Sequence, residues 1–204
     1  MTDVSHIYFD DRAPLKEALL RGDRAAVKDL LKSGSRAALE RQKNAFLNEL
    51  TDRYLAGALP FCQLTAAAQA AQAFSDDTLP PVACCGAASG NTSAAGRDYM
   101  LMLLSMWGVP TLDLGVDVSA EAFLSAIAGN SLQFAVCVVF TAAQAACVRQ
   151  IDALAKERSI RQDFRLVVCG ASPSEDGFLK DLPADFAAHR SAEAAQWVMN
   201  TWKR

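Results

Sequence analysis

Apolar residues along this 204-residue chain follow two rhythms. From Arg12 to about Phe74 they recur every three or four positions, and no β run interrupts them. Ala13 to Leu20 reads as a first helix, ended by Gly22. Asp23 is placed to cap a second, Arg24 to Leu31, whose Ala26, Val27, Leu30 and Leu31 share one face. Gly34 stops it. A third helix begins at Ser35 or Arg36 and runs through Leu39, Ala45, Phe46, Leu50 and Tyr54 to about Ala58. After Pro60, an Ala-rich fourth helix covers Phe61 to Phe74. Four short helices with brief connections predict a small bundle.

Ser75 to Pro81 (SDDTLPP) is acidic, carries two prolines and separates this region from an alternating one. The expected division is a helical cap over residues 1–78 and an α/β domain over 79–204. Predicted strands are Val82–Cys85, Thr111–Leu114, Ala135–Phe140, Arg165–Cys169 and a fainter Asp185–Ala188. Helices fill the gaps: Arg97–Trp107, Ala120–Ala128, Ala143–Glu157, Ser174–Leu179 and Ala192–Trp202. Ser119 and Ser191 are N-cap candidates, and Ser172-Pro173-Ser174-Glu175 fits a capping box. VCVVF and LVVC show no polar alternation, as expected of parallel strands covered on both faces. The predicted fold class is α/β: a small N-terminal four-helix bundle followed by a doubly wound, flavodoxin-like, five-stranded parallel sheet.

The stretch Val82 to Asp117 organises the α/β part. It reads as strand, a small-residue loop from Gly86 to Ala95, an apolar helix, a turn at Gly108-Val109-Pro110, and a second strand. In such sheets ligands sit beyond the carboxyl ends of the strands, where this loop would lie. The helix YMLMLLSMW, Tyr99 to Trp107, is apolar in every direction and needs cover on more than one side. Either the helical bundle or a second subunit supplies it, or Met and Trp side chains also approach a large flat ligand.

Composition narrows the function classes. Hydrophobic residues make up 51% and charged residues 21%, enough to bury a core. The net charge of −3 and the absence of a Lys/Arg cluster disfavour nucleic acid and anionic membranes. Met1 to Asp11 is polar and acidic, unlike a secretory signal, and no apolar run reaches the ~20 residues a membrane span needs. A cytoplasmic protein is expected. Cys62, Cys84, Cys85, Cys137, Cys147 and Cys169 form no C-x-x-C pair, and the reading is of small buried hydrophobes in a reducing compartment rather than zinc ligands. No nucleophile stands beside a base, so a stand-alone catalyst is disfavoured.

Several stretches together resemble the corrinoid (cobalamin-binding) proteins of methyl-transfer systems, including the corrinoid modules of methionine synthase and of methylamine and methanol methyltransferases. They are Thr111-Leu-Asp-Leu-Gly-Val-Asp-Val-Ser-Ala-Glu-Ala-Phe, the Gly108-Val109 step, Val168-Cys-Gly-Ala-Ser-Pro, and Tyr54-x-x-Gly57 followed by Leu64. The resemblance spans roughly Leu15 to Trp202 and implies cobalamin as cofactor and a methyltransferase as partner. The family marks its first loop with Asp-x-His-x-x-Gly, whose imidazole becomes the lower ligand of cobalt while the acid orients it. Here the loop reads Asn91-Thr92-Ser93-Ala94-Ala95-Gly96, and only Gly96 matches. Where the family places a serine against the nucleotide tail, Thr141 is the nearest hydroxyl. Its Gly-Gly pair after the fourth strand has become Cys169-Gly170, followed by Ala171, and Cys169 is expected to narrow the tail channel. His189, after the fifth strand, is the remaining imidazole on that edge; His6 lies in the lead-in. The binding set implied is thus Asn91, Ser93, Gly96, Thr141, Gly170, Ala171 and His189, with no metal ligand among them.

Two functions follow as expectations. One is a corrinoid-binding methyl carrier or accessory component without the lower-ligand histidine. The other is a sensor or interaction module that keeps the fold and binds another tetrapyrrole such as haem, or no cofactor. A homodimer through the apolar helix or the bundle is a further expectation.

Overall fold

In the computed structural model, residues 14–74, 79–170 and 177–202 are described, and the chain divides into two compact units, Met1–Phe74 and Ser75–Arg204. His6, Ala171 and the Ser172–Glu175 capping box lie outside the described residues.

The first unit holds α1 (Pro14–Leu20), α2 (Arg24–Ser33), α3 (Arg36–Leu55) and α4 (Phe61–Ala71), closed by a 3-10 turn at Gln72–Phe74. The Asp23 side chain accepts from the Ala26 N–H and caps α2 as its position predicts. Leu15, Leu19, Val27, Phe46, Leu47, Leu50 and Leu64 are buried. Ala67, Ala68 and Ala71 of α4 are buried too, small enough to let the other helices approach.

The second unit is built on a five-stranded, all-parallel sheet in the order β2-β1-β3-β4-β5. The strands are β1 (Ala83–Ala88), β2 (Thr111–Val118), β3 (Phe134–Val138), β4 (Arg165–Cys169) and β5 (Phe186–Ala188). Between and after them run α5 (Ala94–Met106), α6 (Ala120–Asn130), α7 (Ala145–Glu157), the short α8 (Gly177–Lys180) and α9 (Ser191–Trp202). Every residue of β1 and β3 is buried, as the absence of polar alternation requires. One face packs against α6 and α7 through Phe123, Leu124, Ile127, Val148 and Ile151; α5 and α9 pack against each other and the strands on the other. In α5 Met100, Leu103, Leu104 and Met106 are buried, and Leu101 and Met102 are half-buried.

Three strand ends differ from expectation, each at the carboxyl edge. Gly86 to Ala88 belongs to β1, because parallel pairing with Cys137 and Val138 overrides its low β propensity. A Cβ on Gly86 would lie 3.1 Å from Phe123 Cζ and 3.0 Å from Val118 Cγ2, so glycine is what lets those side chains close over the strand. The loop is therefore Ser89 to Ser93, half the length predicted, and α5 starts at Ala94. β2 continues past Leu114 to Val118 by way of two irregularities in register, where Gly115 and Asp117 adopt positive φ (87° and 54°). β3 stops at Val138, and although the Val139 N–H still reaches the Cys169 carbonyl (2.9 Å), Phe140 leaves the sheet.

Candidate functional site at the carboxyl edge of the sheet

Asn91 sits at the centre of the β1–α5 turn, 3% exposed. Its Oδ1 accepts from the Ser93 N–H (3.1 Å), an Asx turn that sets the entry into α5. Its Nδ2 reaches the Val138 carbonyl at 3.5 Å, and its own carbonyl accepts from the Asp117 N–H at 2.9 Å. The carboxamide is thus used inside the fold. Asp117 Oδ1 accepts from the Gly90 N–H (2.7 Å) and from Ser89 Oγ (3.3 Å), so the end of the edge strand grips the turn. Asp is among the few residues that tolerate the left-handed φ this needs.

Ser93 is exposed at the N-terminus of α5, and its hydroxyl makes no capping bond. A neutral hydroxyl is a poor metal ligand at pH 7, and the nearby cysteines do not replace it. Burial pushes the Cys84 thiol up to about 12 and the Cys85 thiol well above its usual value, so both stay protonated. Among the described residues no group of three His, Cys, Asp or Glu is arranged to hold a metal.

Phe140 lies at the other side of the turn. A Cβ on Gly96 would stand 2.5 Å from Phe140 Cζ and 3.0 Å from Val138 Cγ1. A Cβ on Gly170, where φ is +99°, would stand 3.2 Å from Phe140 Cε1 and 3.1 Å from Val138 Cγ1. The edge of the ring therefore lies against two bare backbones, with Val138 beside it, and the ring is only half-buried. Gly96 and Gly170 from the expected set both lie against Phe140 and Val138.

Gln144 was not singled out in the sequence, where it is one polar residue in TAAQAA. Its Oε1 accepts from the Phe140 N–H (2.7 Å) and its Nε2 donates to the Gly90 carbonyl (3.3 Å). It ties the turns after β1 and β3 together. Thr141 is exposed, and its Oγ1 takes a long contact from the Gln144 N–H at 3.5 Å. His189 follows β5, half-buried, one position beyond Ala188, the partner of Cys169 in the sheet register. It stands on the outer side of β4, away from the β1–α5 turn.

Two further features flank this edge. The Cys147 thiol in the first turn of α7 is lowered to about 7, chiefly by a hydrogen bond from Cys137, against burial and with help from the Ser89 backbone. A hollow of about 480 Å³ lined by Pro81, Leu101, Ser105, Pro110 and Leu112 opens at the opposite, amino end of β1 and β2. It is remote from the turn.

No family model and no curated protein matches this chain. Solved structures do. A cobalamin-binding protein from Desulfitobacterium hafniense DCB-2 aligns with a TM-score of 0.75 at 16% identity, covering 92% of this chain and 96% of that one. The methanol:cobalamin methyltransferase complex from Methanosarcina barkeri contributes a chain with a TM-score of 0.72 at 16% identity, covering 95% of this chain and 81% of that one. The Methanosarcina barkeri monomethylamine corrinoid protein follows with a TM-score of 0.54 at 18% identity, covering 92% and 96%. At these identities the likeness establishes the fold, which is that of cobalamin-binding and corrinoid proteins of methyltransferase systems.

Proposed function

We propose that this chain is a corrinoid-binding protein that serves a methyltransferase system as a carrier or accessory component, and that it holds its ligand without a protein lower ligand. The observation that carries this reading is the extent of the structural likeness. It takes in 92% to 95% of this chain, the helical unit as well as the sheet, and 81% to 96% of the neighbouring chains. The carboxyl edge of the sheet is where a doubly wound fold receives ligands.

The residues fit such a ligand only in part. Ser93 offers a hydroxyl where a lower ligand would stand, Asn91 is already bonded within the turn, and Phe140 occupies the space against Gly96 and Gly170. A tail-inserted mode of binding does not fit this chain, so the proposal is restricted to a corrinoid whose nucleotide stays outside. Titrating the purified apoprotein with hydroxocobalamin tests it. A shifted visible spectrum and co-elution of colour with protein on gel filtration are expected; neither appearing would overturn the reading.

A second reading is favoured by the same closed turn: a sensor or interaction module that has kept the fold and takes another tetrapyrrole such as haem, or none. A Soret shift on adding haemin to a protein that ignores hydroxocobalamin would select it.

A further inference from the structure

We propose that Cys137 and Cys147 are a redox-active dithiol: Cys147 meets a peroxide oxidant, and Cys137 resolves the product into a disulfide that fastens β3 to α7.

The two sulfurs come from different elements and share one side of the sheet. Cys137 pairs with Gly86 and Val168, and it and Cys147 both belong to the core between the sheet and α6 and α7. Cys85 and Cys169 pair with Val136 and Val138, one position out of step with Cys137, so they point to the α5 and α9 side. Cys84 shares the face but pairs with Ala135, two residues before Cys137 on β3. Cys147 stands in the first turn of α7, where its Sγ donates to the Val118 carbonyl at 3.5 Å and accepts from the Cys137 thiol. The pair is also asymmetric. Cys147 keeps 5% of its surface exposed and Cys137 none. The hydrogen bond from Cys137, opposed by burial, lowers the Cys147 thiol to about 7; the same bond, with burial, holds Cys137 well above the usual value. The thiolate is the reactive form, and a helix N-terminus favours it.

With a peroxide, the Cys147 thiolate attacks one oxygen, the O–O bond breaks, and hydroxide leaves to become water. The Cys137 sulfur then attacks the sulfenic sulfur of Cys147. The S–S bond forms, the S–O bond breaks, and the departing hydroxide takes the Cys137 proton as a second water. The two sulfurs lose two electrons, which the peroxide oxygens gain. A dithiol reductant reverses the step. The disulfide closes the chain from Cys137 to Cys147 into a loop that contains Phe140 and Gln144, which are bonded to each other.

The test treats the reduced full chain with hydrogen peroxide, stops the reaction with catalase, alkylates in urea with iodoacetamide and maps the peptides by mass spectrometry. A Cys137–Cys147 cross-linked peptide, two hydrogens lighter than the free pair and lost on adding dithiothreitol, is expected. Cys147 should be consumed at least tenfold faster than Cys84, Cys85 or Cys169. Exposed Cys62 reports that the oxidant acted. Oxidised Cys62 beside intact Cys147 overturns the proposal, as does a bridge from either residue to another cysteine. Equal consumption of all the buried thiols overturns it too. Cys137→Ala separates the two steps: dimedone should label Cys147 in it at least tenfold more than in the wild type, and equal labelling overturns Cys137 as the resolving thiol. Should that variant not fold, the wild-type peptide map decides by itself.

Discussion

Asp117 is the residue on which the β1–α5 turn depends. Its carboxylate holds the Gly90 N–H and Ser89 Oγ, and its backbone sits at φ 54°, which costs most side chains about 1–2 kcal/mol. Asp117→Ala loses the acceptor and keeps the strain, so a loss of about 1–2 kcal/mol is expected. Asp117→Asn keeps an acceptor and tolerates the conformation, and should cost less than half as much. Urea midpoints for the two variants check the order. The residues of this edge were legible in part: the doubly wound pattern put Asn91 and Ser93 in the loop after β1, where they lie, whereas Gly96 falls in the first turn of α5. What they touch was not. Phe140 reads as one more apolar residue of a strand, and its contact with Gly96 and Gly170 joins positions 44 and 30 residues apart in sequence, a distance no local pattern spans. Gln144 carried no signal at all.

Among the elements, α7 and the last two strands are tied by one guanidinium. Arg161 Nε binds Asp152 Oδ1 at 2.8 Å and its Nη2 binds Asp185 Oδ2 at 2.9 Å, with all three side chains at most 20% exposed. Burial raises the Asp152 pKa, but the bonds and charges of Lys156 and Arg161 together outweigh it and leave the carboxyl below its usual value. A lowered folded pKa means the stabilisation is complete above the ordinary aspartate value of about 3.9 and is lost as pH falls through the lowered one. Arg161→Ala should therefore cost about 2 kcal/mol at pH 7, with Lys156 still beside Asp152, and the gap to wild type should narrow toward pH 3 in urea melts. The cysteines give an independent check on the elements' packing. Cys62 on α4 is exposed and the other five are buried, so iodoacetamide should label Cys62 first in the folded protein. Cys147, 5% exposed, should follow slowly, with a rate that climbs as pH passes 7 and levels off above 8, read by peptide mass spectrometry. Element type and order were legible because periodicity reports burial. The strand ends were not, since Gly86 to Ala88 pairs through its neighbours and β2 lengthens through two backbone irregularities.

At the scale of the molecule, the chain divides into two compact units, Met1–Phe74 and Ser75–Arg204. The second has its own sheet and its own large buried side chains, Phe123 and Phe164 among them. We propose that it folds alone: a fragment of residues 75–204 should give a cooperative thermal melt by circular dichroism, and a broad featureless one would count against it. Among the described residues no helix is long and apolar enough to cross a membrane. The most far-reaching feature is small. The Gln144 carboxamide holds the Phe140 N–H with one end and the Gly90 carbonyl with the other, so the two turns are joined through one side chain. The Gly90 carbonyl that it holds belongs to the residue before Asn91. One amide side chain thereby fastens together the two loops that follow the carboxyl ends of β1 and β3.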